Sequence, residues 1–140
     1  MRDLLFLPAL ARFSDLALLA LRLLVGAFLI YGVWDNITSP AHMAEFVAFL
    51  SKFGFPAPQF MAPLSVSAQF LCGAGFILGL FTRWAGLICA FNFVVAIAMV
   101  DHHAGIRGSF PSAALVMIGL YLAAHGPGWF SLDRLLQDRS

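Results

Sequence analysis

The chain has 140 residues, of which 61% are hydrophobic and only 11% are charged. An average soluble domain is roughly 45–50% apolar and about 25% charged, and a domain this small exposes too much surface to keep so many apolar groups from water. The formal net charge of +1 gives no basic excess for binding phosphates. Composition therefore excludes an ordinary soluble enzyme, a disordered tail and a nucleic-acid-binding protein. It predicts one integral membrane domain over residues 1–140.

Four apolar segments are long enough to cross a bilayer, which takes about 20 residues. The predicted spans cover residues 15–35, 57–82, 84–101 and 109–125. Because the connections between the spans are short, consecutive spans are expected to run antiparallel. The predicted fold class is therefore all-α, an up-down four-helix bundle that is embedded in the lipid bilayer.

Two further segments are too short to span and are predicted to lie at the membrane surface as amphipathic helices. One is the stretch that precedes the first span. The other covers residues 40–53, where apolar side chains recur at helical spacing. Ser39 is the expected N-cap of this helix, Pro40 its first residue, and Gly54 the signal that ends it.

The basic residues predict which way the bundle sits in the membrane. Lys52 and Arg107 fall on one side. Five arginines fall on the other side, namely Arg2, Arg12, Arg83, Arg134 and Arg139. Because positive residues accumulate in cytoplasmic loops, both termini are predicted to be cytoplasmic, in a bacterial inner membrane. The loops around residues 35–58 and 101–111 are then predicted to face the periplasm.

Arg22 is a charged residue well inside a predicted span. An arginine there costs about 2.5–3.5 kcal/mol on insertion scales, so it is expected either to face the bundle interior or to snorkel to the interface. The candidate partners are Asn92 on the third span, at a depth close to that of Arg22, and Gln69 on the second span, which is deeper. Because neither neutralises the charge, we predict that Arg22, Gln69 and Asn92 bind an anion, a lipid phosphate or a quinone carbonyl.

A second polar cluster is predicted at the outer ends of the spans. Its members are Asp35, His42, Glu45, Asp101, His102 and His103. Histidine and carboxylate on one face can bind a metal or relay protons, and solvated helix ends are the alternative interpretation. Adjacent residues on a helix point about 100° apart, which hinders His102 and His103 from sharing a metal. No metal site is therefore predicted.

The remaining reactive residues carry no recognised cofactor motif. Cys72 and Cys89 lie on different spans at different depths, so neither a disulfide relay nor a metal motif is expected. The chain also lacks a ligand pattern for haem or an iron–sulfur cluster. If the protein takes part in redox chemistry, the electrons are expected to come through a bound quinone or a partner protein. No catalytic residue is predicted, and whether the chain is an enzyme stays open.

Four short motifs follow one another along nearly the whole chain. They are Arg22-Leu23 followed by Gly26 and Tyr31-Gly32, the stretch F-G-F-P-A-P at 53–58, the run C-G-A-G-F-I-L-G-L-F-T-R at 72–83, and the tail G-P-G-W-F-S-L-D at 126–133. Each pattern is short, but their combination and order resemble the DoxX family of small bacterial four-helix membrane proteins.

The resemblance implies a fold and a membrane location more firmly than an activity. Relatives in the family include a subunit of thiosulfate:quinone oxidoreductase and partners of superoxide dismutase and sulfurtransferase in oxidative-stress complexes. More distant relatives are membrane chaperones or cargo receptors. Many members have a glutamate where this chain has Gln69, and a neutral amide cannot relay a proton as a carboxylate can.

Three hypotheses for the function stay open. The first is a membrane subunit of a quinone-linked redox complex, in which Arg22 and its polar neighbours hold a quinone or small anion. The second is a non-enzymatic scaffold, chaperone or receptor for a redox or periplasmic partner protein, with a homo-oligomer as a further arrangement. The third is a small-ion carrier, which the lack of inverted-repeat and broken-helix signals disfavours.

Overall fold

The computed structural model describes residues 1–139. Ser140 and the side chain of Arg139 lie outside the described part. Arg139 is one of the five arginines from which the orientation is predicted. All regular structure among the described residues is helical, and four helices are long and apolar enough to cross a membrane. The predicted all-α, integral membrane fold is thereby confirmed.

Within residues 1–139, seven α-helices follow one another, and two short 3-10 segments lie at Pro8–Phe13 and Asp101–Ala104. The membrane spans are the second, fourth, fifth and sixth of these helices. The seven helices are α1 (Arg2–Phe6), α2 (Ser14–Thr38), α3 (Pro40–Lys52), α4 (Pro58–Leu78), α5 (Thr82–Met99), α6 (Gly105–His125) and α7 (Leu132–Arg139).

The turn between α4 and α5 differs from the sequence expectation. The second span was expected to continue to residue 82, but α4 ends at Leu78 because Gly79 takes a left-handed conformation with φ +67°. Phe81 is also left-handed, with φ +50°. Glycine adopts this conformation without steric cost and commonly ends helices. The resulting turn is only three residues long and leaves the carbonyls of α4 close to the amides of α5.

Glycines bring the spans together in two pairs. Helix α2 packs along α4, and α5 packs along α6. A Cβ atom on Gly73 would lie 2.8 Å from the carbonyl oxygen of Gly26, and one on Gly119 would lie 2.7 Å from that of Gly86. Small residues let helix backbones approach this closely in membranes. Helices α4 and α5 join the two pairs, whereas α2 and α6 contact each other sparsely.

The bundle has two ends that are built differently. We call the end with the α4–α5 turn and the segment before α7 the tail end, and the end with α3 and the 101–104 turn the loop end. At the loop end, α3 packs on α4 and α2 and buries Leu50. As predicted, Ser39 caps α3, because its Oγ accepts a hydrogen bond from the His42 amide at 3.4 Å.

Candidate functional site

Arg22 lies in the interior at the tail end, where its guanidinium binds backbone carbonyls. The residue is 1% exposed. Its Nε donates to the carbonyl oxygen of Phe76 at 3.0 Å. Its Nη1 donates to the carbonyl oxygens of Pro127 at 2.6 Å and Phe130 at 2.8 Å. Arg22 therefore connects three parts of the chain, namely α2, the last turn of α4 and the segment before α7.

The three carbonyl groups explain why a charge is useful at this position. Phe76 is in the last turn of α4, where backbone carbonyls have no partner within the helix. Pro127 and Phe130 lie outside regular helix. An unpaired carbonyl costs several kcal/mol in hydrocarbon, and a cation is favoured at the negative end of a helix dipole. One guanidinium satisfies all three acceptors, which accounts for a buried arginine without invoking a ligand.

The negative charge that interacts with Arg22 comes from Asp133 on α7 and not from a neighbouring span. Its two carboxylate oxygens accept hydrogen bonds from the amides of Phe81 at 2.7 Å and Thr82 at 3.0 Å. Its own amide donates to the carbonyl of Gly79 at 2.9 Å, and its carboxylate interacts electrostatically with Arg22. Asp133 thus caps the N-terminus of α5 from a distant part of the chain. The sequence analysis did not identify this role, and the tail motif at 126–133 was the available signal.

Two further side chains tie the same end together. Nη1 of Arg83 donates to the carbonyls of Ala123 at 2.9 Å and Ala124 at 2.7 Å, so Arg83 closes the C-terminal turn of α6. Asp15 accepts a hydrogen bond from the Trp129 amide at 3.2 Å. We call Asp15, Arg22, Arg83 and Asp133, with the backbone groups that they bind, the tail network.

The tail network unites three of the four motifs behind the family resemblance. Arg22 comes from the first motif, Arg83 ends the third, and Asp133 ends the fourth. In the fold, Arg22 binds carbonyls of the third and fourth motifs, and Asp133 binds amides of the third. Arg83 binds carbonyls of α6 just before the fourth motif. The network therefore gives these motif residues a structural explanation.

Gln69 and Asn92 lie in a separate polar cluster at the α4–α5 interface. Nε2 of Gln69 donates to Oγ of Ser65 at 3.1 Å, and this hydroxyl donates to Oδ1 of Asn92 at 2.8 Å. We call these three residues the amide trio. Gln69 lies seven residues before Phe76, hence about 10 Å along α4 from a carbonyl that Arg22 binds. The structure brings Gln69 and Asn92 together through Ser65, which the sequence analysis missed, and places Arg22 elsewhere.

The amide trio is deep in the membrane and still accessible. Asn92 lies ten residues after Thr82, hence about 15 Å into a hydrocarbon core of about 30 Å. Gln69 shares a helix face with Phe76 because the two are seven residues apart. Phe76 is fully buried, whereas Gln69 and Asn92 are only half-buried. Among the described residues, Oε1 of Gln69 and Nδ2 of Asn92 have no hydrogen-bond partner, so the trio presents one free acceptor and one free donor.

The predicted cluster at the loop end does not form a single site. Asp101 accepts a hydrogen bond from Oγ of Ser112, and Nδ1 of His102 lies 2.9 Å from the Ile97 carbonyl. The rings of His102 and His103 are 3.9 Å apart. The other three members, Asp35, His42 and Glu45, have exposed side chains. In the described part, no hydrogen bond or ion pair joins two of the six, and no three histidine, cysteine or acidic residues are placed to hold a metal ion.

The two cysteines are buried and free. Sγ of Cys72 donates to the carbonyl of Ala85 at 3.3 Å, so this thiol serves the packing between α4 and α5.

Comparison with known proteins identifies the family of the chain. The DoxX family profile matches residues 17–102. The inner membrane protein YqjF of Escherichia coli (strain K12) is 29% identical over 133 residues, which cover 91% of this chain and 98% of that protein. The uncharacterized membrane protein Rv3486 of Mycobacterium tuberculosis is 30% identical over 139 residues, which cover 89% of this chain and 83% of that protein. No solved structure matches.

Proposed function

Because the chain belongs to the DoxX family, we propose that it is a multi-pass membrane subunit of a quinone-linked redox complex in the bacterial inner membrane. The excess of arginine at the tail end supports an orientation with both termini in the cytoplasm. The quinone headgroup is bound by the amide trio, and a partner protein supplies the electrons. This proposal keeps the quinone, Gln69 and Asn92 of the sequence hypothesis, and it leaves Arg22 out of the quinone contacts.

The free polar atoms of the amide trio carry the proposal. A quinone ring bears carbonyl oxygens, and its reduced form bears hydroxyl groups. Nδ2 of Asn92 can donate to such a carbonyl, and Oε1 of Gln69 can accept from such a hydroxyl. When bound, the quinone supplies an electron carrier that is soluble in the bilayer. Polar residues at this depth are costly, and binding an apolar ring with polar edges is a reason to retain them.

The proposed roles of Arg22 and the amide trio are different. The guanidinium of Arg22 already donates to three carbonyls, so it supports the fold around the site. The trio itself is uncharged. A neutral site with one donor and one acceptor suits a neutral quinone better than a small anion, because an anion would be buried there without a compensating cation.

Quinone retention by a double variant tests the proposal. Gln69→Leu with Asn92→Leu removes both free polar atoms and keeps similar volume. The Ser65 hydroxyl loses both partners, but a serine in a helix can donate to the carbonyl four residues earlier, so the variant should fold. After purification in mild detergent, we expect its extracted quinone to fall at least about tenfold below that of the native protein, which corresponds to about 1.4 kcal/mol of lost binding.

Gln59→Leu is the matched control, because Gln59 is exposed near the start of α4 and its substitution removes the same amide from the same helix. We expect it to retain quinone as the native protein does. Native quinone content in the folded double variant, or no quinone in the native protein extracted from quinone-rich membranes, would contradict the proposal.

A second candidate function is a membrane scaffold or receptor for a partner protein. A row of aromatic rings on α3 favours it: Phe46 and Phe49 are 6.4 Å apart, and Phe49 and Phe53 are 4.9 Å apart. Phe49 is 43% exposed, and aromatic residues of this kind are enriched in binding interfaces.

A photo-crosslinking amino acid at position 49 tests the second candidate. We expect it to capture one discrete protein in intact cells. The control position is Phe28, which is also exposed but lies in the middle of α2, where lipid is the expected neighbour. Equal and diffuse labelling from both positions would exclude α3 as a partner-binding surface.

A further inference from the structure

A groove at the tail end lies away from the amide trio, and two residues of the tail network, Arg83 and Asp133, contribute to its walls. It has a volume of about 350 Å³ and is formed by the α4–α5 turn on one side and α7 on the other. Its walls include the side chains of Phe81, Arg83, Trp84, Asp133, Leu136 and Gln137. The groove therefore combines a cation, polar groups and large apolar side chains at one end of the membrane spans.

The charges around the groove leave one cation without a counterion. Asp133 also lines the groove, but its two carboxylate oxygens bind backbone amides, and its charge is attracted to that of the buried Arg22. Arg134 and Asp138 on α7 form an ion pair at 3.8 Å. Arg83 is exposed, and no carboxylate lies within ion-pair distance of it in the described part of the chain. Its guanidinium donates to carbonyls but keeps its positive charge.

The apolar walls place this cation at the boundary between water and lipid. Trp84 is 68% exposed and Phe81 is 65% exposed, and tryptophan is enriched at the level of the lipid headgroups. Helix α7 presents the exposed residues Leu135 and Leu136 beside polar ones, as helices that lie in the interface do. A ligand with a phosphate and apolar chains fits this arrangement.

We propose that the groove binds an anionic phospholipid of the leaflet at the tail end. The phosphate lies against Arg83, and the acyl chains lie along Trp84 and Leu136. The charged residues of the groove walls are Arg83 and Asp133, and the carboxylate of Asp133 is engaged by two backbone amides. The guanidinium of Arg83 therefore favours an anionic headgroup over a zwitterionic one, since each basic residue near a membrane surface contributes about 1 kcal/mol of attraction to anionic lipid. The proposal does not depend on quinone binding.

Lipid retention tests the proposal with native mass spectrometry of the protein from nanodiscs that contain equal amounts of phosphatidylglycerol and phosphatidylcholine. We expect the native protein to retain phosphatidylglycerol about fivefold more than phosphatidylcholine, since this is the ratio for one basic residue. Gln137→Glu adds a negative charge to the groove wall, keeps Arg83 itself and the side-chain length at position 137, and should remove most of this preference.

Gln59→Glu is the matched control, because it makes the same substitution at an exposed site of the loop end. We expect it to leave the preference unchanged. Arg83→Gln should also abolish the preference, but it removes the contacts to α6, so Gln137→Glu decides the outcome if Arg83→Gln does not fold. Equal retention of both lipids by the native protein, equal effects of the two glutamate substitutions, or displacement of the lipid by inorganic phosphate alone would overturn the proposal.

Discussion

At the tail end, Arg22, Arg83 and Asp133 each bind two or more backbone groups of another element. At the loop end, the charged side chains of Asp35 and Glu45 are exposed, and His102 bonds to a carbonyl five residues away in its own segment. Polar side chains thus connect distant elements at one end and stay local or solvated at the other.

The connections at the two ends account for the difference. The α4–α5 turn has three residues, so the unpaired carbonyls at the end of α4 and the unpaired amides at the start of α5 lie close together and are bound by side chains of distant elements. At the loop end, α3 and the 101–104 turn lengthen the connections, and water can satisfy their backbone groups. At the tail end, charged side chains stabilise the fold. At the loop end and in the amide trio, polar groups remain available to bind other molecules.

The largest expected effect comes from Arg22→Gln. Three carbonyls lose a charged donor in the interior, and each unsatisfied buried acceptor costs about 1–3 kcal/mol, so we expect a loss of about 3–5 kcal/mol in unfolding free energy. Reaction of the buried thiols of Cys72 and Cys89 with a fluorogenic maleimide during thermal or denaturant unfolding measures the loss. Arg22→Lys keeps the charge without the planar fork and should lose part of this stability. A native unfolding midpoint for Arg22→Gln would refute the role of the tail network.

Asp133→Ala should have the second-largest effect on stability. It removes the cap of α5 and leaves Arg22 without a counterion, so we expect a loss of about 2–3 kcal/mol in the same thiol assay. Asp138→Ala is the matched control on α7, because Asp138 is exposed and its one ion pair should contribute at most about 1 kcal/mol. Equal losses for the two variants would mean that the contacts of Asp133 with α5 add no stability.

Ser112→Ala tests the side-chain contact between α6 and the 101–104 turn at the loop end. Ser112 is 8% exposed and donates to Asp101, so its loss should cost about 1–2 kcal/mol. Ser109→Ala is the control, because Ser109 bonds only to carbonyls of its own helix and its removal should cost less. A loss as large as that of Arg22→Gln would remove the distinction between the two ends.

Thr82→Val should act in the opposite direction at the tail end. Thr82 is fully buried, and its Oγ1 has no hydrogen-bond partner among the described residues. Since valine has nearly the same shape without the hydroxyl, we expect stability to rise by about 1 kcal/mol. Unfolding at a higher temperature in the thiol assay would support this expectation, and destabilisation would show that the hydroxyl has a partner when the protein is in the membrane.

The smallest effects are expected for His42→Ala and Glu45→Ala. Both side chains are exposed on α3, and substitutions of this kind change stability by no more than about 0.5 kcal/mol. Their unfolding midpoints should match that of the native protein. A loss above about 1 kcal/mol in either variant would mean that the exposed face of α3 is held by a contact, and the loop end would then resemble the tail end.

The sequence by itself determined the membrane, the four spans and the helix-ending signals, because hydrophobic length and local capping depend on neighbouring residues. It also identified Arg22, Gln69 and Asn92 as polar groups at membrane depth. Only the tertiary structure decided that Arg22 lies against Asp133 and two carbonyls of the tail segment. It also decided that Gln69 and Asn92 bond to Ser65 and not to Arg22. Such pairings depend on how distant helices pack and where the chain returns, and the glycine contacts that set this packing have no local pattern of their own.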